Sequence, residues 1–490
     1  MIRPLTLLGK HSIAYGLGNG FNKFVSLLAL PFLTRYLSPQ DFAVIAMFAV
    51  LGVVYRSLFG LGLGVSTGLV YFQHSEPTER PLVIGASILV QTVSAVILVS
   101  LTLVFSEALS HIILMDQGYG SLITLYTLSI CLQLIAQPLL LDLQYRNQAV
   151  KYVTLTSACA LVNMMAILTL VIGQDHGLRG WVEGDLIGSA VTLGSLLILN
   201  RGGYYMRASR QSVNSLISNG LPLIPSAVFV FIIQCSGTYM LQWFVPKSQV
   251  GVYGIGYSLG MALGLATTGF ASAWFPFFQS YFGKDREAQT MFSTVLLSYT
   301  IVFGFVCYLF LILAKPTVLL LMDSRYIESS KIVGLTAMAQ FFFGLWGILL
   351  PGMYFAKETH YVAFVQGISA ILVFALNLIL IPSLGIVGAA LSFCLGAVAM
   401  VLVQQGFNTV RHYQVSIHNW KRAGGLLIML AAMATIQMIV NVRFSMTAGL
   451  AVGLVILSVH ICMSWLLLSD QEKSRIVGWA PLWVRSQIPH

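Results

Sequence analysis

Long apolar segments separated by short polar loops run through the whole of this 490-residue chain. A helix needs about 20 predominantly apolar residues to cross the hydrocarbon core of a bilayer. Fourteen segments of roughly that length each predict a transmembrane helix: 12–33, 42–66, 82–105, 119–141, 152–173, 181–199, 216–238, 250–273, 291–313, 331–350, 361–381, 385–405, 423–440 and 447–468. The pattern therefore predicts an all-α polytopic membrane protein with about fourteen transmembrane helices.

The composition favours the same interpretation, since 57% of the residues are hydrophobic and only 9% are charged. A soluble domain carries about 25% charged residues, so this much apolar surface needs a lipid-facing exterior. The net charge of +10 does not indicate nucleic-acid binding, because no basic cluster with interleaved aromatic residues lies on a soluble segment. The six cysteines lie in apolar segments without metal-ligand spacing, and we expect neither disulfides nor structural zinc.

The distribution of basic residues predicts the orientation of the chain. With the N-terminus in the cytoplasm, 17 of the 26 Lys and Arg residues fall on the cytoplasmic side and seven on the opposite side. The remaining two, Lys23 and Arg56, lie within predicted helices. Because basic residues accumulate in cytoplasmic loops, we expect both termini in the cytoplasm and an even number of helices.

The sequence contains a weak internal repeat. Residues 33–37 align with residues 241–245, which lie 208 positions later, and Gly180 aligns with Gly388 at the same offset. This offset spans six predicted helices, so both copies have the same orientation in the membrane. Such a parallel repeat is typical of transporters with a pathway between two lobes.

The repeat predicts three regions. Residues 1–205 form an N-terminal six-helix lobe, residues 206–410 form a C-terminal six-helix lobe, and residues 411–490 add two transmembrane helices and a cytoplasmic tail. Pro222 and Pro225 interrupt the seventh helix and predict either a bend or ordinary packing of a membrane helix.

The first helix carries a stripe of polar residues. Ser12, Asn19, Asn22, Lys23 and Ser26 fall within roughly a 100° arc at 100° per residue. Asn and Ser alone are equally compatible with a cavity lining and with hydrogen bonds to a neighbouring helix. Lys23 favours the cavity, because a charge inside the membrane is costly and usually faces a cavity or a partner.

The second helix places Arg56 about halfway along its length, with Gly52, Gly60 and Gly64 on the same side. These small residues predict either close helix packing or an open wall beside the arginine. No carboxylate on the first two helices neutralises Arg56 or Lys23, so the pair predicts an anionic ligand such as a phosphate. The alternative is that both side chains reach to the membrane interface.

The acidic residues Glu183 and Asp185 lie early in the sixth helix. We interpret both as carboxylates near a helix N-terminus, where the helix dipole stabilises negative charge. The functional alternative is coupling to a proton or sodium ion, or pairing with a cation of the cavity. Asp41, at the start of the second helix, has the same structural interpretation and a weaker predicted role in a gate.

Residues 11–19 (HSIAYGLGN) and 30–39 (LPFLTRYLSP) resemble the opening of the polysaccharide transporter, or Wzx-like oligosaccharide flippase, family. This family belongs to a superfamily that also contains the MATE exporters and the lipid II flippases. The resemblance extends through the duplicated layout over about residues 1–405. The extra helix pair is similar to the layout of the lipid II flippases.

The resemblance implies a flippase that moves an undecaprenyl-diphosphate-linked oligosaccharide from the cytoplasmic to the periplasmic leaflet of a bacterial inner membrane by alternating access. It implies a cationic central cavity in which Lys23 and Arg56, with Asn19, Asn22 and Ser26, bind the substrate, and an outer gate near Arg35 and Asp41. The expected partners are this lipid-linked oligosaccharide, membrane lipids and other glycan-assembly membrane proteins, and no nucleic acid. In contrast to the lipid II flippases, no cation lies within the seventh or eighth helix.

Two other classes of protein are weighed against a flippase. An ion-coupled MATE-type exporter needs membrane carboxylates, whereas the first helix carries Lys23 and no acidic residue. A glycan polymerase or ligase needs a sizeable periplasmic loop or a catalytic cluster, whereas the longest outer loop spans about residues 314–330. No GxSxG, Walker-type or HExxH motif occurs, and we expect neither enzymatic activity nor a cofactor.

Overall fold

A computed structural model describes residues 2–73, 79–146, 148–200, 208–283, 285–358, 360–411, 420–443 and 446–467. The regular structure within these ranges is helical throughout. The helices are α1 (Ile2–Tyr36), α2 (Pro39–Phe59), α3 (Leu63–Gln73), α4 (Arg80–Leu114), α5 (Gly120–Tyr145), α6 (Ala149–Leu168), α7 (Gly177–Leu199), α8 (Arg210–Gly220), α9 (Ile224–Leu241), α10 (Lys247–Gly260), α11 (Leu263–Gln279), α12 (Asp285–Leu321), α13 (Ser330–Ile348), α14 (Pro351–Phe355), α15 (His360–Leu384), α16 (Ile386–Val410), α17 (Trp420–Arg443) and α18 (Met446–Leu467).

The prediction of an all-α polytopic membrane protein is confirmed. Among the described residues, 11 helical segments are long and apolar enough to cross a membrane, or 12 if the bent pair α10–α11 counts as one span. The predicted first and thirteenth segments lie within α1 and α17, which are also helical. The number of fourteen membrane crossings stays a prediction.

Three of the predicted spans are broken, and the proline and glycine residues of the seventh and eighth helices anticipated two of these breaks. The predicted second helix stops at Phe59, because Leu61 and Gly62 adopt positive φ angles of 50° and 65° that no right-handed helix contains. The predicted seventh helix is interrupted by a 3-10 turn at Leu221–Leu223, where Pro222 supplies no backbone N–H. The predicted eighth helix bends by 40° between α10 and α11.

The two halves of the chain pack their helices in the same order. In the first half, α1 packs on α6, α6 on α7, α7 on α5, and α5 on α4. In the second half, α9 packs on α15, α15 on α16, α16 on α13, and α13 on α12. Helices α17 and α18 pack on α12, outside this pattern. This repetition supports the division into residues 1–205, 206–410 and 411–490, which we propose as the domain organisation.

The first half (α1–α7) and the second half (α8–α16) contact each other through a few helices. Helix α2 packs against α9 and α10, α1 packs against α11, and α3 packs against α8. We call the end of the bundle that contains residues 37–38, 115–119, 242–246 and 322–329 the outer end, after the predicted orientation. One cluster of buried apolar residues includes side chains of both halves, so the halves share a core near α2 and α10.

Candidate functional site

Arg56 lies near the C-terminal end of α2 with an exposed side chain. Its Nη1 atom donates a hydrogen bond of 3.2 Å to Oε1 of Gln133 on α5. A Cβ atom on Gly52 would lie 2.6 Å from the hydroxyl of Tyr126 and 3.0 Å from Nη2 of Arg56. The absence of a side chain at Gly52 therefore leaves room for the guanidinium beside α5, rather than forming an open wall.

Arg56 also faces the second half of the chain. Its charge acts electrostatically on Cys235, a buried residue of α9. The guanidinium thus lies beside α5, on a helix that packs against α9 of the second half. Within the described part of the chain, no carboxylate forms an ion pair with Arg56.

Gln133 connects Arg56 with a cluster of polar side chains on α5, α6 and α7. The Nε2 atom of Gln133 donates hydrogen bonds of 3.0 Å to Ser189 and 3.3 Å to Ser129. Ser129 in turn donates a hydrogen bond of 2.5 Å to Oδ2 of Asp185. We call the set Gln133, Ser129, Ser189, Asn163 and Asp185 the α5–α7 polar cluster, in which Asn163 donates to Oδ1 of Asp185 at 3.3 Å.

The interpretation of Asp185 as a helix-terminus carboxylate is wrong. Helix α7 begins at Gly177, so Asp185 lies two turns inside it and beyond the reach of the first-turn dipole. The half-buried carboxylate of Asp185 is partly removed from water and is stabilised by hydrogen-bond donors or a counter-charge. Ser129 and Asn163 supply the donors, and Arg56 supplies positive charge at longer range.

Glu183 has different surroundings although it lies only two residues away. Its Oε1 accepts a hydrogen bond of 2.7 Å from Nε of Arg179, and its Oε2 lies 3.2 Å from Nδ1 of His176. Arg179 is 69% exposed, so this group is a solvated ion pair of the outer end. The two acidic residues that the sequence grouped together therefore belong to separate sites.

The polar stripe on α1 is described in part. Lys23 and Ser26 are exposed, and Lys23 has no ion pair or hydrogen bond within the described residues. Oδ1 of Asn22 is buried and has no hydrogen-bond partner there. Helix α1 includes Ser12 and Asn19, whose side chains lie outside the described residues. Lys23 therefore lies on the surface of α1 without a counter-charge from the described residues.

The predicted gate residues Arg35 and Asp41 lie at the outer end. Asp41 forms a capping box with Ser38, in which the Ser38 hydroxyl and backbone N–H donate to Oδ2 of Asp41 at 2.7 and 2.9 Å. Arg35 has an exposed side chain, and its backbone carbonyl accepts a hydrogen bond of 3.4 Å from Nη2 of Arg325. Asp41 thus fixes the start of α2, and Arg35 contributes a main-chain acceptor.

Residues that the sequence did not indicate close the outer end across the two halves. Nη2 of Arg325 donates a hydrogen bond of 3.1 Å to the carbonyl of Thr34, and the hydroxyl of Tyr326 donates one of 2.8 Å to the carbonyl of Leu37. Arg325 is itself oriented by Asp323, which accepts from its Nε at 2.9 Å. The 3-10 turn Ser324–Ser329 of the second half thereby holds the C-terminal end of α1.

A second contact between the halves joins Lys247 to Asp116, with 2.5 Å between Nζ and Oδ2. The hydrogen bond from Lys247 lowers the pKa of Asp116 below its ordinary value. A lowered pKa means that the carboxylate keeps its charge at neutral pH, and that the contact is lost only as the pH falls through the lowered pKa. Both side chains are exposed, so the pair contributes little stability.

We expect Tyr326→Phe to loosen the outer end, because it leaves the carbonyl of Leu37 without its buried donor. Such a loss costs about 1–3 kcal/mol. A single cysteine at Thr34, buried in this closed end, should then react faster with a membrane-impermeant thiol reagent. Tyr36→Phe is the matched control, because Tyr36 is 56% exposed. Equal labelling in both variants would contradict a role for Tyr326 in closure.

The residues of the α5–α7 polar cluster are spaced in the sequence in a way that indicates a shared helix face. Ser129, Gln133 and Gln137 recur every four residues within the apolar segment 119–141, and therefore share one face of α5. Asp185 and Ser189 have the same spacing on α7. Among the described residues, no group of three or more His, Cys, Asp or Glu side chains could hold a metal ion.

The sequence is similar to those of proteins described for polysaccharide biosynthesis. A family model described as "Polysaccharide biosynthesis protein" matches residues 8–282. The succinoglycan biosynthesis transport protein ExoT of Rhizobium meliloti (strain 1021) is 26% identical over 340 residues, which is 67% of this chain. The chain spans 63% of the length of that relative.

Comparison of structures identifies the fold. An inward-facing multidrug resistance MATE transporter of the MOP superfamily matches with a TM-score of 0.69 and 12% identity, covering 80% of this chain and 94% of the transporter. The lipid II flippase MurJ in an inward closed conformation matches with a TM-score of 0.66 and 14% identity, covering 92% of this chain and 98% of MurJ. The chain therefore has the fold of MOP-superfamily transporters.

Proposed function

The chain belongs to the polysaccharide biosynthesis protein family, and we propose that it moves an undecaprenyl-diphosphate-linked oligosaccharide from the cytoplasmic to the periplasmic leaflet of a bacterial inner membrane. The multi-pass helical fold and the likeness to the MOP-superfamily transporters support a role in translocation rather than catalysis. In this proposal both termini lie in the cytoplasm, and lipid-linked oligosaccharide and other glycan-assembly membrane proteins are the partners.

One observation carries the proposal. Arg56 is an exposed cation within a membrane-spanning segment, it lies on α2, which packs against α9 and α10 of the second half, and its side chain binds the neutral Gln133. An arginine that has no bound carboxylate can donate two parallel hydrogen bonds to a phosphate. A diphosphate cannot enter hydrocarbon without such compensation for its lost hydration, so we propose that Arg56 binds the diphosphate.

Lys23 supplies the second positive charge of the proposed site. It is exposed on α1, next to Asn22 and Ser26, and α1 packs against α11 of the second half. A lysine acts on phosphate as a point charge without a fixed direction, which suits a ligand that has to move through the site. With Asn19, these residues form the proposed hydrated wall for the diphosphate and the first sugars.

Alternating access gives a role to the contacts of the outer end. In the closed state, Arg325 and Tyr326 hold α1, and α2 lies against α10. We propose that these contacts separate when the loaded site opens to the periplasm, with the capping box of Asp41 preserving the start of α2. Arg35 takes part through its carbonyl.

We propose Asp185 as the residue for coupling to a proton or sodium ion. It is the acidic member of the α5–α7 polar cluster, and Arg56 acts on it electrostatically. Glu183 is a weaker candidate for this role, because Arg179 already forms an ion pair with it. A MATE-type exporter of cationic molecules is disfavoured, because Arg56 and Lys23 would repel such a substrate.

Accessibility of the proposed site tests the function. Single cysteines replace Ser26, one turn from Lys23, or Ser57, next to Arg56, in a variant without the six native cysteines, so that both cations are kept. They are labelled with a membrane-impermeant thiol reagent in cells and in inverted vesicles. We expect labelling at both positions, and we expect it to decrease when lipid-linked oligosaccharide accumulates. A cysteine in place of Phe24, whose exposed side chain lies next to Lys23 on the apolar side of α1, is the matched control.

The outcome separates the classes of function. Protection of both cysteines from both sides of the membrane, in variants that still support glycan export, would place these residues outside the substrate pathway. Labelling that responds to a cationic drug and not to lipid-linked oligosaccharide would favour an exporter of small molecules.

A further inference from the structure

The hydrogen bonds between Arg56 and Asp185 all point in one direction. Arg56 donates to the Oε1 atom of Gln133, which fixes the other end of this amide as the donor. The Nε2 atom of Gln133 then donates to Ser129, and the hydroxyl of Ser129 donates to Asp185. Gln133 and Ser129 therefore each accept a hydrogen bond from the side of Arg56 and donate one in the direction of α7.

Such a chain depends on the charge at its end. An ionised Asp185 is a strong acceptor, and hydrogen bonds in series polarise one another in a medium of low dielectric constant. When Asp185 is neutralised by a proton or a bound cation, the hydroxyl of Ser129 loses its best acceptor. The amide of Gln133 is then less firmly oriented, and its Oε1 atom holds Arg56 less tightly.

We propose that Gln133 is a positioning residue that transmits the charge state of Asp185 to Arg56. With Asp185 ionised, Gln133 holds the guanidinium against α5. With Asp185 neutralised, the guanidinium is released towards the space between the halves. This inference rests on the proposed function, in which Arg56 binds a diphosphate and Asp185 binds the coupling ion, and it supplies the physical link between the two events.

The link also operates in the reverse direction, because coupling between two sites is reciprocal. A diphosphate that takes the donors of Arg56 removes one of the bonds that orients Gln133. The serine hydroxyls then lose a fixed donor, and the surroundings of Asp185 become less favourable for its charge. Binding of substrate would therefore promote uptake of the coupling ion.

The chemical reactivity of Arg56 tests this link without any substrate. The purified full-length protein in nanodiscs is treated with phenylglyoxal, which modifies arginine side chains, and the extent of modification at Arg56 is followed by mass spectrometry. Asp185→Asn should increase the rate of modification about five-fold, the lower end of the range found for coupled sites. In the Gln133→Leu background the rate should already be raised, and Asp185→Asn should increase it no further.

Two further variants make the test specific to Gln133. Gln133→Glu gives Arg56 a carboxylate partner and removes the donor to Ser129, so modification of Arg56 should be slow whether residue 185 is Asp or Asn. Gln137→Leu is the matched control, because Gln137 lies one turn along α5 and forms no hydrogen bond within the described residues. In this control the five-fold effect of Asp185→Asn should persist.

The inference is overturned if the effects of Asp185→Asn and Gln133→Leu on the modification rate of Arg56 are independent of each other. If Asp185→Asn changes the rate at Arg56 by the same factor in the wild type and in Gln133→Leu, the two residues are not linked through Gln133. An unchanged rate in Asp185→Asn alone would overturn it as well.

Farnesyl diphosphate separates this test from the test of the proposed function. It carries a prenyl diphosphate without sugars, and it should protect Arg56 from phenylglyoxal in the wild type. If farnesyl diphosphate does not protect Arg56, binding of a diphosphate at this residue is contradicted. The modification rates of the single and double variants, measured without ligand, would still decide the role of Gln133.

Discussion

Replacement of Arg56 by alanine is expected to abolish glycan export while the protein still folds. The side chain is exposed, and Asp185 keeps its hydrogen bonds from Ser129 and Asn163 when Arg56 is removed, so the fold should survive the replacement. Each charge-assisted hydrogen bond to a phosphate contributes roughly 1.5–3 kcal/mol, and two such bonds correspond to at least a hundredfold loss of affinity. Export of surface polysaccharide in a deletion strain and binding of farnesyl diphosphate measure the two effects.

Two other variants distinguish the chemistry of Arg56 from its charge. Arg56→Lys keeps the positive charge but loses the planar pair of donors, and we expect it to retain partial export. Arg179→Ala is the matched control, because Arg179 pairs with Glu183 at the surface of the outer end, where such pairs contribute at most about 1 kcal/mol. Full export by Arg56→Ala would remove this residue from the substrate pathway.

The class of the fold was predictable from the sequence because it depends on local properties. An apolar segment about 20 residues long leaves few choices other than a membrane helix, and each predicted segment overlaps a helix of the structure. The break after Phe59 was not predictable in this way. Gly60 and Gly62 are compatible with a continuous membrane helix, and it is the close approach of Gly62 to the backbone of Gly220, on α8, that requires the turn.

Only the charged residues of the candidate site could be predicted from the sequence. Arg56 and Lys23 are conspicuous because charged residues are rare in membrane helices. The partners of Arg56 were not predictable, because Gln133 and Asp185 lie on helices that are distant in the sequence and that meet only after packing. Without knowledge of where α7 begins, Asp185 could not be distinguished from a carboxylate at a helix terminus.

The gate illustrates a further limit. The sequence directed attention to the side chain of Arg35, whereas the contact uses its carbonyl and that of Thr34. Main-chain acceptors at the end of a helix are present in every sequence, so the pattern of residues does not indicate which of them will be used. The donor, Arg325, belongs to the predicted outer loop of about residues 314–330, which nothing in the sequence connects with α1.

Replacement of Gly251 by alanine is expected to prevent closure of the outer end. Gly251 lies five residues into α10, and a Cβ atom there would overlap the carbonyl of Pro39 and lie 2.9 Å from the backbone nitrogen of Ala43. Both contacts are to the backbone of α2, which cannot rotate away as a side chain can. Helices α2 and α10 must therefore move apart, at a cost of about 1–3 kcal/mol or more, and the closed state loses that stability relative to an open one.

Cross-linking between Thr34 and Met322 measures this effect, because their side chains are in contact across the two halves at 3.8 Å. Cysteines at these two positions should be joined readily by a short bifunctional thiol reagent in an otherwise cysteine-free protein, and more than ten times more slowly after Gly251→Ala, since 1.4 kcal/mol corresponds to about tenfold in a population. Gly406→Ala is the matched control, because Gly406 is an exposed glycine of α16 with no atom within 4 Å of its Cβ position. An unchanged rate of cross-linking would mean that α2 and α10 separate without opening the outer end, and the contacts of Arg325 and Tyr326 would then suffice to hold α1 in place.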